Sequence, residues 1–134
     1  MSAGAPIHDL ARLLRELRPR LHEGTFAYCP LPAGMPLPPG AVGWFREAEG
    51  ETAILPVEDA RALGLAVRFE SAWITLEVHS ALEAVGLTAA VAGALTDVGI
   101  PCNVVAALHH DHLFVPGGRV AEALAALERL AGTE

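Results

Sequence analysis

This chain has few basic residues, few aromatics and few cysteines. Lysine and arginine together number 9 against 16 aspartates and glutamates, a formal charge of −7. A nucleic-acid backbone needs a basic face to neutralise its phosphates, so that class of partner is excluded. Anionic membrane surfaces are disfavoured on the same ground. Aromatics make up 5%, and the aromatic-bearing central strands of an RNA-reading sheet are missing. The two cysteines, Cys29 and Cys102, lie in apolar strand-like segments without CxxC spacing. They read as buried thiols in a reducing cytosol. The charge-free helical run from Ala84 to Thr96 is shorter than the roughly 20 residues needed to cross a bilayer. The uncharged stretch from Gly24 to Phe45 holds five prolines and makes no membrane helix. The N-terminus carries arginine and glutamate through its apolar pattern, unlike a signal peptide. A cytoplasmic protein is expected. Gly-x-Ser-x-Gly, a phosphate-cradling glycine loop and paired carboxylates are absent too, so no catalytic class is indicated.

What is present is apolar content. At 52% of 134 residues it supports a core for one compact domain or two very small ones. The organising stretch runs from Ala72 to Pro116. Trp73, Thr75, Glu77 and His79 alternate with Ala72, Ile74, Leu76 and Val78, the period-2 pattern of a half-buried strand. From Leu87 the apolar positions Leu87, Val91, Leu95 and Val98 take helical spacing, and Gly99 and Pro101 end the helix. Asn103 to Leu108 reads as a strand, His110-Asp111 as a turn, and Leu113 to Val115 as another strand. A second helix over Arg119 to Leu130 places Val120, Leu124, Leu127 and Leu130 on one face. The order strand, helix, strand, strand, helix predicts an α+β protein. It is an antiparallel-type sheet with both helices on one face, the ferredoxin-like arrangement.

Upstream, residues 1–6 read as a loose tail. Asp9 caps a helix ending near Arg18, ahead of Pro19. Thr25 to Cys29 is a strand. Leu31 to Gly40, with four prolines and two glycines, is an irregular loop and a candidate mobile cover over a site. Val42–Arg46 and Thr52–Leu55 form a hairpin, followed by a short helix from Glu58 to Leu63 capped by Gly64. This first half lacks an opening strand and the second half lacks a closing one, so each half is expected to complete the other's sheet. The expected division is a degenerate unit over 1–70 and a fuller one over 71–134.

Two features suggest a site. At the junction from His79 to Leu87 a strand gives way to a helix, and Gly86 allows a close turn. Backbone N–H groups at a helix start favour an anion such as a carboxylate, with the Ser80 hydroxyl and His79 imidazole beside them. The plain alternative is an ordinary connection with Ser80 as cap. The second feature is His109-His110-Asp111-His112. Three imidazoles and a carboxylate invite a metal, yet a tight turn points such side chains apart, whereas metal sites need convergence. Asp111 is instead placed to pair with a cationic group on a ligand.

The segments FREAEGETAILP and WITLEVHSALEAVGLTAAVAGALTDVGIPCNVVAALHHDHLFVP resemble the ACT domain. They are most similar to short prokaryotic ACT-domain proteins of unassigned activity, from about Trp44 to the C-terminus. More distantly they resemble the tandem ACT domains of the eukaryotic cytosolic arginine sensor. The resemblance implies a tandem arrangement with a degenerate N-terminal unit, acting as a regulatory module without catalysis or cofactor. The implied partner is a small molecule, an amino acid in the first instance, and ACT units often pair, so a homodimer is implied as well. Ligands in such domains sit between the loop after the first strand and the second strand of a neighbouring unit. Carried onto this sequence, the ligand-binding residues are His79, Ser80, Val85, Gly86, Leu87, Ala107, Leu108 and Asp111. Asp111 matches an acidic position in the Asp-His-x-x-Val-Pro pattern that faces the bound amino acid. Two rival readings remain: a metal-binding protein or enzyme built on His79, His110, Asp111 and His112, and a pure protein-interaction module.

Overall fold

A computed structural model describes residues 5–132. Their contacts form two compact units: residues 23–72, and residues up to 22 together with those from 73 onward.

In the first of these, β2 (Phe26–Leu31), β3 (Gly43–Glu47) and β4 (Gly50–Pro56) precede a short helix, α2 (Val57–Ala62). Strand order is β3-β4-β2-β5, antiparallel throughout; the first residues of β5 (Phe69–Leu76) pair Tyr28 with Phe69 and Phe26 with Ser71. The hairpin turns at Ala48-Glu49, with Glu47 opposite Gly50. Its boundaries lie within two residues of those expected. Ala27, Cys29, Leu31, Ala53, Leu55, Val57, Ala60 and Leu65 form the core. The proline-rich loop is, by composition, a candidate cover over a site, and the structure shows what it packs on. Leu31 is part of this core and Met35 and Ala41 pack on it. Bonds from Met35 N–H to Pro32 C=O and from Ala41 N–H to Pro38 C=O fold the loop on itself. A loop lying where a ferredoxin-like unit has its first helix must supply that helix's apolar contacts, and these residues do so.

In the second unit, α1 (Leu10–Glu16) starts at Asp9, whose carboxylate accepts from Ala11 N–H at 3.3 Å. The helix stops earlier than expected, and the chain from Leu17 is extended. Pro19–Leu21 then forms β1, a strand the periodicity did not reveal, pairing antiparallel with β5 from Ile74 to Leu76. After β5 come α3 (Leu87–Asp97), β6 (Asn103–Ala106), β7 (Asp111–Pro116), a single 3-10 turn at Gly117–Arg119 and α4 (Val120–Leu130). The order β1-β5-β7-β6 is that of a complete ferredoxin-like sheet. Its closing strand comes from the N-terminal end of the chain. Leu87, Val91 and Leu95 of α3 are buried as the spacing predicts. On α4 the buried positions are Ala123, Ala126 and Leu127, with Val120, Leu124 and Leu130 only partly covered. Small residues at the centre of that face let the helix approach the sheet closely, with the larger ones at its margins. Ile74, Leu76, Leu113 and Val115 make the apolar face of the sheet.

Candidate functional site

β5 ends at Leu76, and the ten residues to Gly86 are irregular. Two backbone bonds hold their middle: Ile7 N–H donates to His79 C=O at 2.8 Å, and Ala81 N–H to Ile7 C=O at 3.1 Å. Most of the tail expected over residues 1–6 lies outside the described residues; just past it Ile7 is 8% exposed and bridges Ser80 in parallel. Opposite stands the tight turn Ala107–His110, closed by Ala107 N–H to His110 C=O at 3.1 Å. His110 Nδ1 lies 3.4 Å from the Val78 carbonyl, linking this turn to the loop.

Between these segments lies a cleft of about 430 Å³. His79 to Glu83 form one side, Leu108 and His109 another, and Pro6 and His8 a third. That volume lies in the range of small-molecule pockets. The His79 and His109 rings stand 6.4 Å apart. Among the described residues, His79 Nδ1 is the buried side-chain nitrogen or oxygen with no hydrogen-bond partner. A buried polar atom in that condition costs free energy until something bonds to it. Three apolar residues of the two segments stay in water: Leu82 is 61%, Val85 84% and Leu108 69% exposed.

Of the residues expected to bind ligand, His79, Ser80 and Leu108 line the cleft. Gly86 sits at the start of α3 with φ +104 and no side-chain cap, and the first intrahelical bond runs from Ala90 N–H to Gly86 C=O. The earlier N–H groups of the helix have no intrahelical acceptor, as at any helix start. Leu87 is buried in the core and Val85 faces solvent. Ala107 opens the turn, and Asp111 is the first residue of β7, opposite Ala106. Asp111 is 9% exposed. Burial pushes its carboxyl above the ordinary range, against the opposing pull of His112 and His110. Ala81, Leu82 and Glu83 lie within the expected junction and His109 within the histidine run without having been assigned to the ligand, whereas Pro6 and His8 went unnoticed in the sequence. Only the apolar Ile7, just past the expected tail, hints that the N-terminus is held here.

The histidine cluster does not converge. His110 bonds toward Val78, whereas His112 Nδ1 accepts from Trp73 Nε1 at 3.1 Å on the sheet face. Strand alternation puts Asp111 on the opposite face from His112. No group of three metal-ligating side chains is gathered anywhere among the described residues. The metal-centred reading therefore has no assembled site. Cys29 is buried and Cys102 half-buried, both unpaired, and burial raises both thiols. Thiols in that condition are poor nucleophiles.

Two family models, each described as an ACT domain, match residues 5–72 and 68–129. The chain belongs to the ACT-domain family. Of solved structures, a Vibrio cholerae protein of unknown function, described as a possible transport protein, is 40% identical. The match covers 91% of this chain and 95% of that one, with a TM-score of 0.80. An Agrobacterium tumefaciens protein is 20% identical over 86% of this ACT protein and 89% of its own chain, TM-score 0.69. Aspartokinase III of E. coli, solved with aspartate and ADP, is 15% identical over 88% of this chain and 33% of its own, TM-score 0.60. The last two show a shared fold. A search of curated proteins finds no match. ACT domains are regulatory modules, and this ACT protein carries two in tandem, in the α+β ferredoxin-like form. No helix among the described residues is long and apolar enough to cross a membrane.

Proposed function

We propose that this chain is a non-catalytic regulatory protein of the cytoplasm that binds an amino acid, with units 1–70 and 71–134 forming a tandem able to pair as a homodimer. The observation that carries the reading is the cleft walled by His79, Ser80 and Leu108, together with the buried, unpartnered Nδ1 of His79. His79, Ser80, Val85, Gly86 and Leu87 take the carboxylate end, using the hydroxyl, the imidazole and the first helix N–H groups. Ala107 and Leu108 contact the ligand's carbon skeleton. Asp111 takes the ammonium, an ion pair that would offset the burial cost its carboxylate now bears.

A thermal-shift screen against the twenty amino acids and nucleotides tests this. One amino acid raising the midpoint in a saturable way is the expected result. A flat amino-acid screen contradicts the reading. It would favour the second one, a module that docks a protein chain, for which the exposed Leu82, Val85 and Leu108 speak.

A further inference from the structure

The sheet face of the second unit opposite Ile74 and Leu113 carries a hydrogen-bonded array separate from the cleft. Trp73 Nε1 donates to His112 Nδ1 at 3.1 Å. Thr75 Oγ1 lies 3.0 Å from the same nitrogen and 2.7 Å from His22 Nε2. The His22 ring stacks on Trp73 with centroids 3.4 Å apart and planes 6° from parallel. His22 follows β1 directly, and its N–H donates to the Trp73 carbonyl at 2.9 Å.

An indole nitrogen only donates. His112 Nδ1 must therefore present its lone pair, which assigns the proton of the neutral ring to Nε2. Acid adds the second proton at Nδ1. Two N–H donors would then face each other, and Trp73 could keep its place only by giving up the bond. Trp73 carries His22 on its ring and by its carbonyl, so its displacement reaches β1, a strand of three residues.

We propose that Trp73, Thr75, His112 and His22 form a proton-operated latch, closed when His112 is neutral, that fixes the closing strand β1 to β5. The surrounding charges agree with the direction. On β1, Arg20 opposes protonation of both imidazoles; just past β5, Glu77 favours protonation of His22 but is engaged by Arg20 at 2.7 Å. On β7 and its turn, His110 opposes protonation of His112 and Asp111 favours it, and β6 contributes no charged side chain. Burial is the largest influence, and it lowers the pKa of both His112 and His22. A lowered folded-state value means the unfolded chain binds the proton more tightly. The latch thus contributes fully above the ordinary imidazole value of about 6.5 and is lost as pH falls below it.

The test follows the Trp73 indole N–H by NMR between about pH 8 and pH 5, a range that spans imidazole titration. Trp44, which donates to Glu51, serves as the in-molecule reference. The latch predicts that the Trp73 resonance moves on acidification while amide exchange in β1 accelerates at least about tenfold. His112→Gln keeps an acceptor without a titrating group and abolishes the movement. A Trp73 resonance that stays fixed to pH 5, or that moves equally in His112→Gln, overturns the proposal. If that variant does not fold, Trp73→Phe decides. Removing the donor frees Nδ1 and raises the titration midpoint of His112, whereas an unchanged midpoint overturns the latch.

Discussion

Substitution of Gly86 separates two physical costs at the start of α3. Its φ of +104 lies where L side chains are strained. A Cβ there would also stand 2.9 Å from Leu10 Cδ2. That Leu10 atom is the end of a rotatable side chain, so it yields for about 0.5–1 kcal/mol of rotamer strain. The backbone does not yield so cheaply. Holding alanine at positive φ costs about 1–2 kcal/mol. Gly86→Ala should therefore lose about 1.5–3 kcal/mol, most of it from the backbone. With unfolding entropy of about 2.1 cal/mol/K per residue over 134 residues, that is a fall in Tm of about 5–11 °C. Gly86→Asn discriminates between the two costs. Asparagine tolerates positive φ better than alanine but is larger, so it should melt higher than the alanine variant if the backbone dominates. Scanning calorimetry on both variants decides. An asparagine variant that melts below the alanine one, or an alanine loss under about 2 °C, refutes the reasoning. The same geometry means that a bulky residue at Gly86 would disturb the helix start and the site together, so binding tests belong elsewhere.

Other consequences can be measured directly. Leu113 is fully buried on β7, so Leu113→Ala should cost about 2–5 kcal/mol in denaturant unfolding, and a loss below about 1 would mean the core there collapses freely. Ser71 is fully buried and donates from Oγ to the Phe26 carbonyl at 2.9 Å. Ser71→Ala should cost about 1 kcal/mol, read as a lower urea midpoint at unchanged slope. The raised pKa of Asp111 means that its folded form holds a proton more tightly than the unfolded chain. Its contribution is full below the unfolded value of about 3.9 and is lost as pH rises through the folded one. Asp111→Asn should accordingly melt no lower than the unsubstituted protein at neutral pH without ligand, and a clear loss there contradicts the burial argument.

The elements with strong periodicity were legible in the sequence, and the element completing the sheet was not. Leu87, Val91 and Leu95 announced α3, and the Glu-Ala-Glu-Gly turn announced the β3–β4 hairpin. Pro19-Arg20-Leu21 offered no alternation to read, because three residues are too few and their pairing with β5 is long-range. The complementation inferred from counting elements was nonetheless present in topology: β1 closes the second unit's sheet, and the first residues of β5 close the other's. Thr75 and Trp73 fall opposite the apolar half of the β5 alternation, yet Thr75 is 1% exposed. Its burial depends on His22 and His112, residues distant in sequence that no local pattern joins to it. At the cleft, the loop after β5 and the hairpin turn could be read from strand ends. The Pro6–His8 wall could not, since its two backbone bonds to His79 and Ala81 depend on tertiary structure alone. The histidine run sends its side chains to different faces, the divergence a tight turn implies.

Calorimetric titration of the amino acids against the metal-free protein and its Asp111→Ala and Leu108→Asp variants tests the ligand-binding account most directly. Leu108 is 69% exposed, so that change should leave the fold intact while placing a negative charge at the cleft. The account predicts that one amino acid binds saturably. At about 100 times its Kd it should add about 2.7 kcal/mol of stability, and both variants should weaken it at least about tenfold. Binding that persists undiminished in both variants, or twenty flat titrations, would contradict an amino-acid site between residues 79–87 and 107–111.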